Sequence, residues 1–137
     1  MKLKFLISFL ILFLVTSCKE INTTNPEKAY QFWIKSNPND KLNIIRGQYW
    51  QSSHWSLEYK LYLEISENVN WWRKFKEDNN LIIDSTEINE NDFWEKPHWF
   101  NPPKKSIKYK ENSEFDQGTR YFEDTLNNKI FIYEIQL

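Results

Sequence analysis

The chain has 137 residues, 18 of them basic and 19 acidic, for a formal charge of −1, and 40% of it is apolar. Its single cysteine excludes an internal disulfide framework and a zinc-type cysteine array, and its two glycines leave no phosphate-cradling loop. So balanced a charge carries no general signal for nucleic acid, and no nucleic-acid partner is expected.

Lys2 and Lys4 give a positive start, followed by a run from Phe5 to Val15 that is apolar except for Ser8. The run is too short for an ordinary spanning helix of about 20 residues. A positive start, a short apolar stretch and small polar residues together have the organisation of a secretion signal. At its end, Val15-Thr16-Ser17-Cys18 resembles the lipobox of bacterial lipoproteins. The resemblance implies a signal peptide over 1–17, cleavage before Cys18, and a diacylglyceryl group on the cysteine sulfur, with acylation of the new amino terminus. That lipid on Cys18 is the only attached group expected: no cofactor and no metal is assigned. Membrane lipid becomes the first partner, because several acyl chains hold where one is marginal. Without 1–17 the chain keeps 16 basic and 19 acidic residues, a charge of −3. Lys19-Glu20 resembles the start of the surface-export signal of Bacteroidota lipoproteins, which Ile21 and Asn22 then interrupt. This implies outer-membrane attachment, with the periplasmic face and the cell surface both open.

Residues 18–25 read as the lipidated cysteine and a short polar tether, and 26–137 as one globular domain. Asn25 can cap a helix whose first residue, Pro26, has no amide hydrogen to leave unpaired, which predicts a helix near 26–36. Asn37-Pro38-Asn39-Asp40 ends it. A strand is expected over 42–50, with Gly47 at a bend or bulge. Over 55–65, Trp55, Leu57, Tyr59, Leu61, Leu63 and Ile65 alternate with Ser56, Glu58, Lys60, Tyr62 and Glu64. That period of two predicts a strand with one apolar and one polar face, joined to its predecessor as a hairpin. Asn68 begins a helix over 69–79 whose aromatic residues, Trp71, Trp72 and Phe75, share neighbouring faces.

A short strand is expected at 81–83 and a polar loop at 84–91. The proline-broken aromatic passage at 93–103 reads as an ordered loop folded against the domain. Strands follow near 105–110, 119–123 and 129–137, with 124–128 turning between the last two and Gly118 at a corner held by Asp116 and Arg120. The expected fold class is α+β: a curved, mainly antiparallel sheet carrying one major helix, over 69–79, and a shorter N-terminal helix. A barrel-like closure by the aromatic loop is the alternative.

The candidate binding surface comprises Tyr49, Trp50, His54 and Trp55 with Trp94, His98, Trp99 and Phe100, and Arg120 as a possible anion contact. Aromatic side chains beside polar groups grip peptides, apolar ligands or sugar rings, although for most of these residues a structural role in a packed core is the favoured reading. His54 and His98 fix no metal geometry. Glu58 and Glu64 are weighed as paired carboxylates and Ser52-Ser53-His54 as a nucleophile and base, but no catalytic residue is assigned. The resulting expectation is a lipid-anchored envelope protein, resembling small bacterial lipoproteins, that binds an envelope protein or glycan, with immunity-like neutralisation as one version. A small envelope hydrolase and a structural component of an envelope assembly are the alternatives.

Overall fold

A computed structural model describes residues 19–35, 42–56 and 58–137. Cys18, on which the lipid expectation falls, the turn at 37–40 and Leu57 lie outside the described residues. The elements are β1 (Ile21–Thr23), α1 (Pro26–Ile34), β2 (Ile44–Gln51), β3 (Tyr59–Ser66), α2 (Val69–Asp78), β4 (Leu81–Ile83), β5 (Ile107–Glu111), β6 (Arg120–Asp124) and β7 (Lys129–Gln136). They build one seven-stranded sheet in the order β1-β2-β3-β7-β6-β5-β4, antiparallel at every step.

The sequence signals for the helices act as local chemistry requires. Asn25 Oδ1 accepts from the Lys28 amide at 2.9 Å, and Asn68 Oδ1 accepts from the Trp71 amide at 3.1 Å. Each satisfies a first-turn donor and stabilises its helix by about 1 kcal/mol. The β2–β3 hairpin closes through the Ser52 amide and the Glu58 carbonyl at 2.8 Å. β3 therefore begins at Tyr59, and Trp55 stands in the turn instead of on the strand.

Two corrections to the expected fold follow. The sheet is open: β1 and β4 are opposite edges, and the sheet neither curls nor closes. Closure would need those edges to pair, whereas the aromatic loop lies across a face and packs Phe93, Trp99 and Phe100 on Tyr62, Phe122, Phe131 and Tyr133. The helices also lack the expected hierarchy. They are nearly equal, at 9 and 10 residues, and α1 is the one whose backbone lies along β2 and β3. α2 reaches the sheet through its aromatic side chains, with Trp72 edge-on to Tyr109 at 5.7 Å and Phe75 edge-on to Tyr121 at 5.4 Å.

Both faces of the sheet are thus covered. Ala29, Tyr30 and Trp72 meet Leu61, Leu63, Ile65, Ile130 and Ile132 on the helix side, and the loop covers the other. The supposedly wet face of β3 is therefore interior, and Lys60, Tyr62 and Glu64 are all buried. Glu64 accepts from Lys129 Nζ at 2.6 Å and lies 3.6 Å from Arg46 Nε.

Gly47 sets the distance between α1 and the sheet. A Cβ there would meet Pro26 Cα at 2.9 Å, and Ala29 Cβ and Leu63 Cδ2 at 3.0 Å. The irregularity in β2 falls between Ile44 and Arg46, just before it. Gly47→Ala should push α1 outward and destabilise the fold by about 1–3 kcal/mol, the usual cost of overpacking, read as a lower urea midpoint at unchanged slope.

Candidate functional site

Trp50 and Lys60 are register partners on β2 and β3, so their side chains leave the same face of the sheet. Trp94 comes to them from the aromatic loop. Its carbonyl accepts from the Tyr62 hydroxyl at 2.7 Å, and its amide donates to the Tyr133 hydroxyl at 3.3 Å. Two sheet tyrosines therefore fix the peptide groups on either side of Trp94, and the left-handed backbone of Glu95 (φ 51°) turns the chain just beyond it. The Trp94 and Trp50 rings meet edge to face with centroids 6.0 Å apart.

Beneath them the Lys60 ammonium is only 3% exposed, 4.6 Å from the Trp94 ring centre and 5.9 Å from that of Trp50. It pairs with the Glu95 carboxylate. The Trp50 indole N–H donates to Glu20 Oε1 at 2.6 Å. The result is an indole pair over a neutralised cation, with Trp94 45% exposed. Such a flat, polarised surface stacks on a planar group or on the C–H face of a sugar ring.

Of the eight residues in the candidate binding surface, only Trp50 and Trp94 form this surface. Tyr49 points to the opposite face of the sheet and stacks between Phe32 and Tyr59. His54 is exposed in the β2–β3 turn, and His98 is exposed in the loop. Phe100 is fully buried and Trp99 is partly buried against it. Arg120 is committed to Asp84 at 2.8 Å and Asp116 at 2.7 Å, while the Gly118 amide donates to Asp116 at 2.8 Å. That is the corner expected from the sequence. Lys60, Glu95 and Glu20 were missed because a charged residue on an alternating strand or in a polar connector reads as solvated.

No family model, curated protein or solved structure matches the chain. Geometry alone therefore carries the chemistry. Among the described residues no group of three His, Cys, Asp or Glu side chains could hold a metal ion.

Glu58, Glu64, His54 and His98 line none of the three clefts of note. The largest, a groove of about 950 Å³, runs between the β4–β5 edge and the loop, with Ile83, Ile107, Phe93 and Phe122 among its walls. A smaller cleft of about 190 Å³ exposes part of Glu134 and Glu111. Glu134, on the helix side of β7, accepts from Trp33 Nε1 at 2.5 Å, Tyr59 at 2.9 Å and Tyr121 at 2.6 Å. Tyr121 also lies 3.1 Å from Glu111, and its one hydrogen cannot serve two carboxylates.

Burial pushes the Glu134 carboxyl above its ordinary range, and the negative charge of Glu111 adds to that, against the three donors that favour the anion. The folded chain then holds a proton that the unfolded chain releases at ordinary values, so unfolding free energy falls as pH rises through that window. Glu67 is displaced in the same direction by partial burial. Asp84, Asp116 and Glu123 are displaced downward and act below the ordinary range. Urea unfolding from about pH 5 to about pH 8 should show stability declining with pH, and Glu134→Gln should flatten most of that slope.

Proposed function

We propose that the chain is a lipid-anchored binding protein of the cell envelope, attached to the outer membrane through Cys18, which uses the Trp50–Trp94 surface to contact an envelope protein or glycan. The observation that carries the binding reading is the pairing of two indoles from distant parts of the chain, the half-exposed one fixed by hydrogen bonds at its own backbone N–H and C=O. A ring held this way loses little further freedom when a ligand stacks on it, which is the economy of a preorganised contact. Neutralisation of a toxin, as by an immunity protein, is one form this binding takes. The carboxylate and histidine pairs a hydrolase would need are dispersed, and the two buried glutamates are already engaged: Glu64 by Lys129 and Arg46, and both oxygens of Glu134 by protein donors.

The attachment half of the reading rests on Lys2, Lys4, the apolar run and Val15-Thr16-Ser17-Cys18. Cys18→Ser should leave the protein unacylated by mass spectrometry and move it out of the membrane fraction. Affinity capture from native envelope membranes tests the binding half. Trp94→Ala should weaken the captured partner by about 2 kcal/mol, roughly thirtyfold, as truncation of a central aromatic contact does. Circular dichroism should stay unchanged, because the ring is not part of the sealed core. Capture that is indifferent to Trp94 and Trp50 would remove this surface from the proposal.

A further inference from the structure

Four segments lie at one end of the sheet. β1 begins at Ile21 opposite Gln51, the last residue of β2, so Lys19 and Glu20 project beside the turn at 52–58. β3 begins at Tyr59 opposite Gln136, which places Leu137 at that end as well. β5 ends at Glu111 and β6 begins at Arg120, so the loop at 112–119 joins them there. The Leu137 amide donates to Gln117 Oε1 at 2.7 Å, tying two of these segments together.

This end carries the two most exposed aromatic side chains among the described residues: Trp55, 95% exposed in the β2–β3 turn, and Phe115, 86% exposed in the loop, with Leu137 at 64% between their strands. The opposite half exposes Val69, Leu126, Ile83 and Ile107, all aliphatic. An exposed large apolar residue is ordinary when single. Three from separate segments, gathered at the end that the chain enters, are not scattered.

Chain length fixes what faces them. Only Lys19 and Glu20 stand between Cys18 and β1, and three residue steps of extended chain reach about 10 Å. Glu20 is itself held by Trp50. An acyl group on Cys18 therefore enters the bilayer within about 10 Å of this end of the sheet. The nearest apolar phase for Trp55 and Phe115 is that same bilayer.

We infer that this end of the domain rests on the lipid surface, with Trp55 and Phe115 inserted at the headgroup level as a second, non-covalent attachment beside the lipid on Cys18; this rests on the lipid-anchor reading above. Tryptophan favours that layer because its ring is apolar and its N–H polar. The docking is apolar in kind. Glu20, Glu58, Glu111, Glu114 and Asp116 sit at or near this end against Lys19, Lys110 and Arg120, so a zwitterionic surface suits it better than an anionic one. The Trp50–Trp94 surface, on the loop side of β2, is left facing sideways along the membrane.

The acylated Cys18 leaves no free thiol in the chain, which permits single-cysteine labelling. Trp55→Cys, Phe115→Cys and Leu126→Cys variants of the mature lipidated protein, each carrying a polarity-sensitive dye, are reconstituted into phosphatidylcholine–phosphatidylethanolamine vesicles. Labels at 55 and 115 should be blue-shifted and quenched several-fold less by iodide than the label at 126. Adding anionic phosphatidylglycerol should weaken that protection. Equal quenching at all three positions in protein that carries its acyl chains by mass would overturn the inference and leave the anchor reading standing. Absence of acyl mass would overturn both. Protection that grows with protein density on the vesicle would assign the rim to a second copy and overturn the lipid contact.

Discussion

Covering both faces of β3 and β7 obliges every charged group on those strands to find a partner inside the protein, and most of the remaining architecture answers that demand. A buried ionised side chain without compensation costs several kcal/mol. Lys60 is met by Glu95 and two indoles, Glu64 by Lys129 and Arg46, and Glu134 by two phenols and an indole. Each solution draws on a different part of the chain: the aromatic loop, the hairpin partners and α1. The polar contacts therefore specify how the covering layers sit, while the apolar contacts supply the area that holds them.

The aromatic loop shows the same logic from its own side. A passage broken by Pro97, Pro102 and Pro103 cannot join a ladder, since proline lacks the amide hydrogen. Its backbone groups must be satisfied elsewhere. Tyr62 and Tyr133 provide for the Trp94 carbonyl and amide, the Phe100 amide bonds the Pro97 carbonyl at 2.9 Å, and Asn101 Nδ2 donates to the His98 carbonyl at 2.7 Å. With those bonds made, Phe93 and Phe100 can enter the core without leaving polar atoms stranded.

Local chemistry was legible in the sequence and layer assignment was not. The caps at Asn25 and Asn68, the period-two run of β3 and the Asp116–Arg120 pair depend on neighbours within a few residues, and the aromatic loop was legible from its own prolines and rings although distant Tyr62 and Tyr133 hold it. Lys60 and Glu64 defeated the reading because alternation shows which residues share a face, not whether a second layer lies on it. β1 was invisible: Ile21-Asn22-Thr23 has too little pattern to mark a strand and exists because β2 offers an edge. Sheet shape and helix rank likewise rest on long-range fit between elements. Gly47 gives α1 its place by letting Pro26 and Ala29 approach. Of the candidate site, the two tryptophans were identified by type, but their separation from Tyr49, Trp99 and Phe100 depended on which side of each strand faces out.

Under the proposed lipid anchor, the edge position of β1 would link fold to location more tightly than a flexible linker would. Residues that read as a tether are part of the sheet, with Glu20 bonded to Trp50 and Asn22 paired to it in register. A ligand stacking on Trp94 therefore presses on a ring whose neighbour is tied to the residue two places after Cys18. Where a flexible linker lets a domain reorient freely and search a volume, this arrangement would fix the height and bearing of the proposed binding surface relative to the proposed anchor. On that proposal a partner would approach along the membrane plane, and a membrane-bound or membrane-embedded ligand would meet the surface at higher effective concentration than one diffusing in from bulk. If the proposed anchor holds, the proximity that limits the domain's reach is thus the same feature that would favour a neighbour in the membrane as its partner.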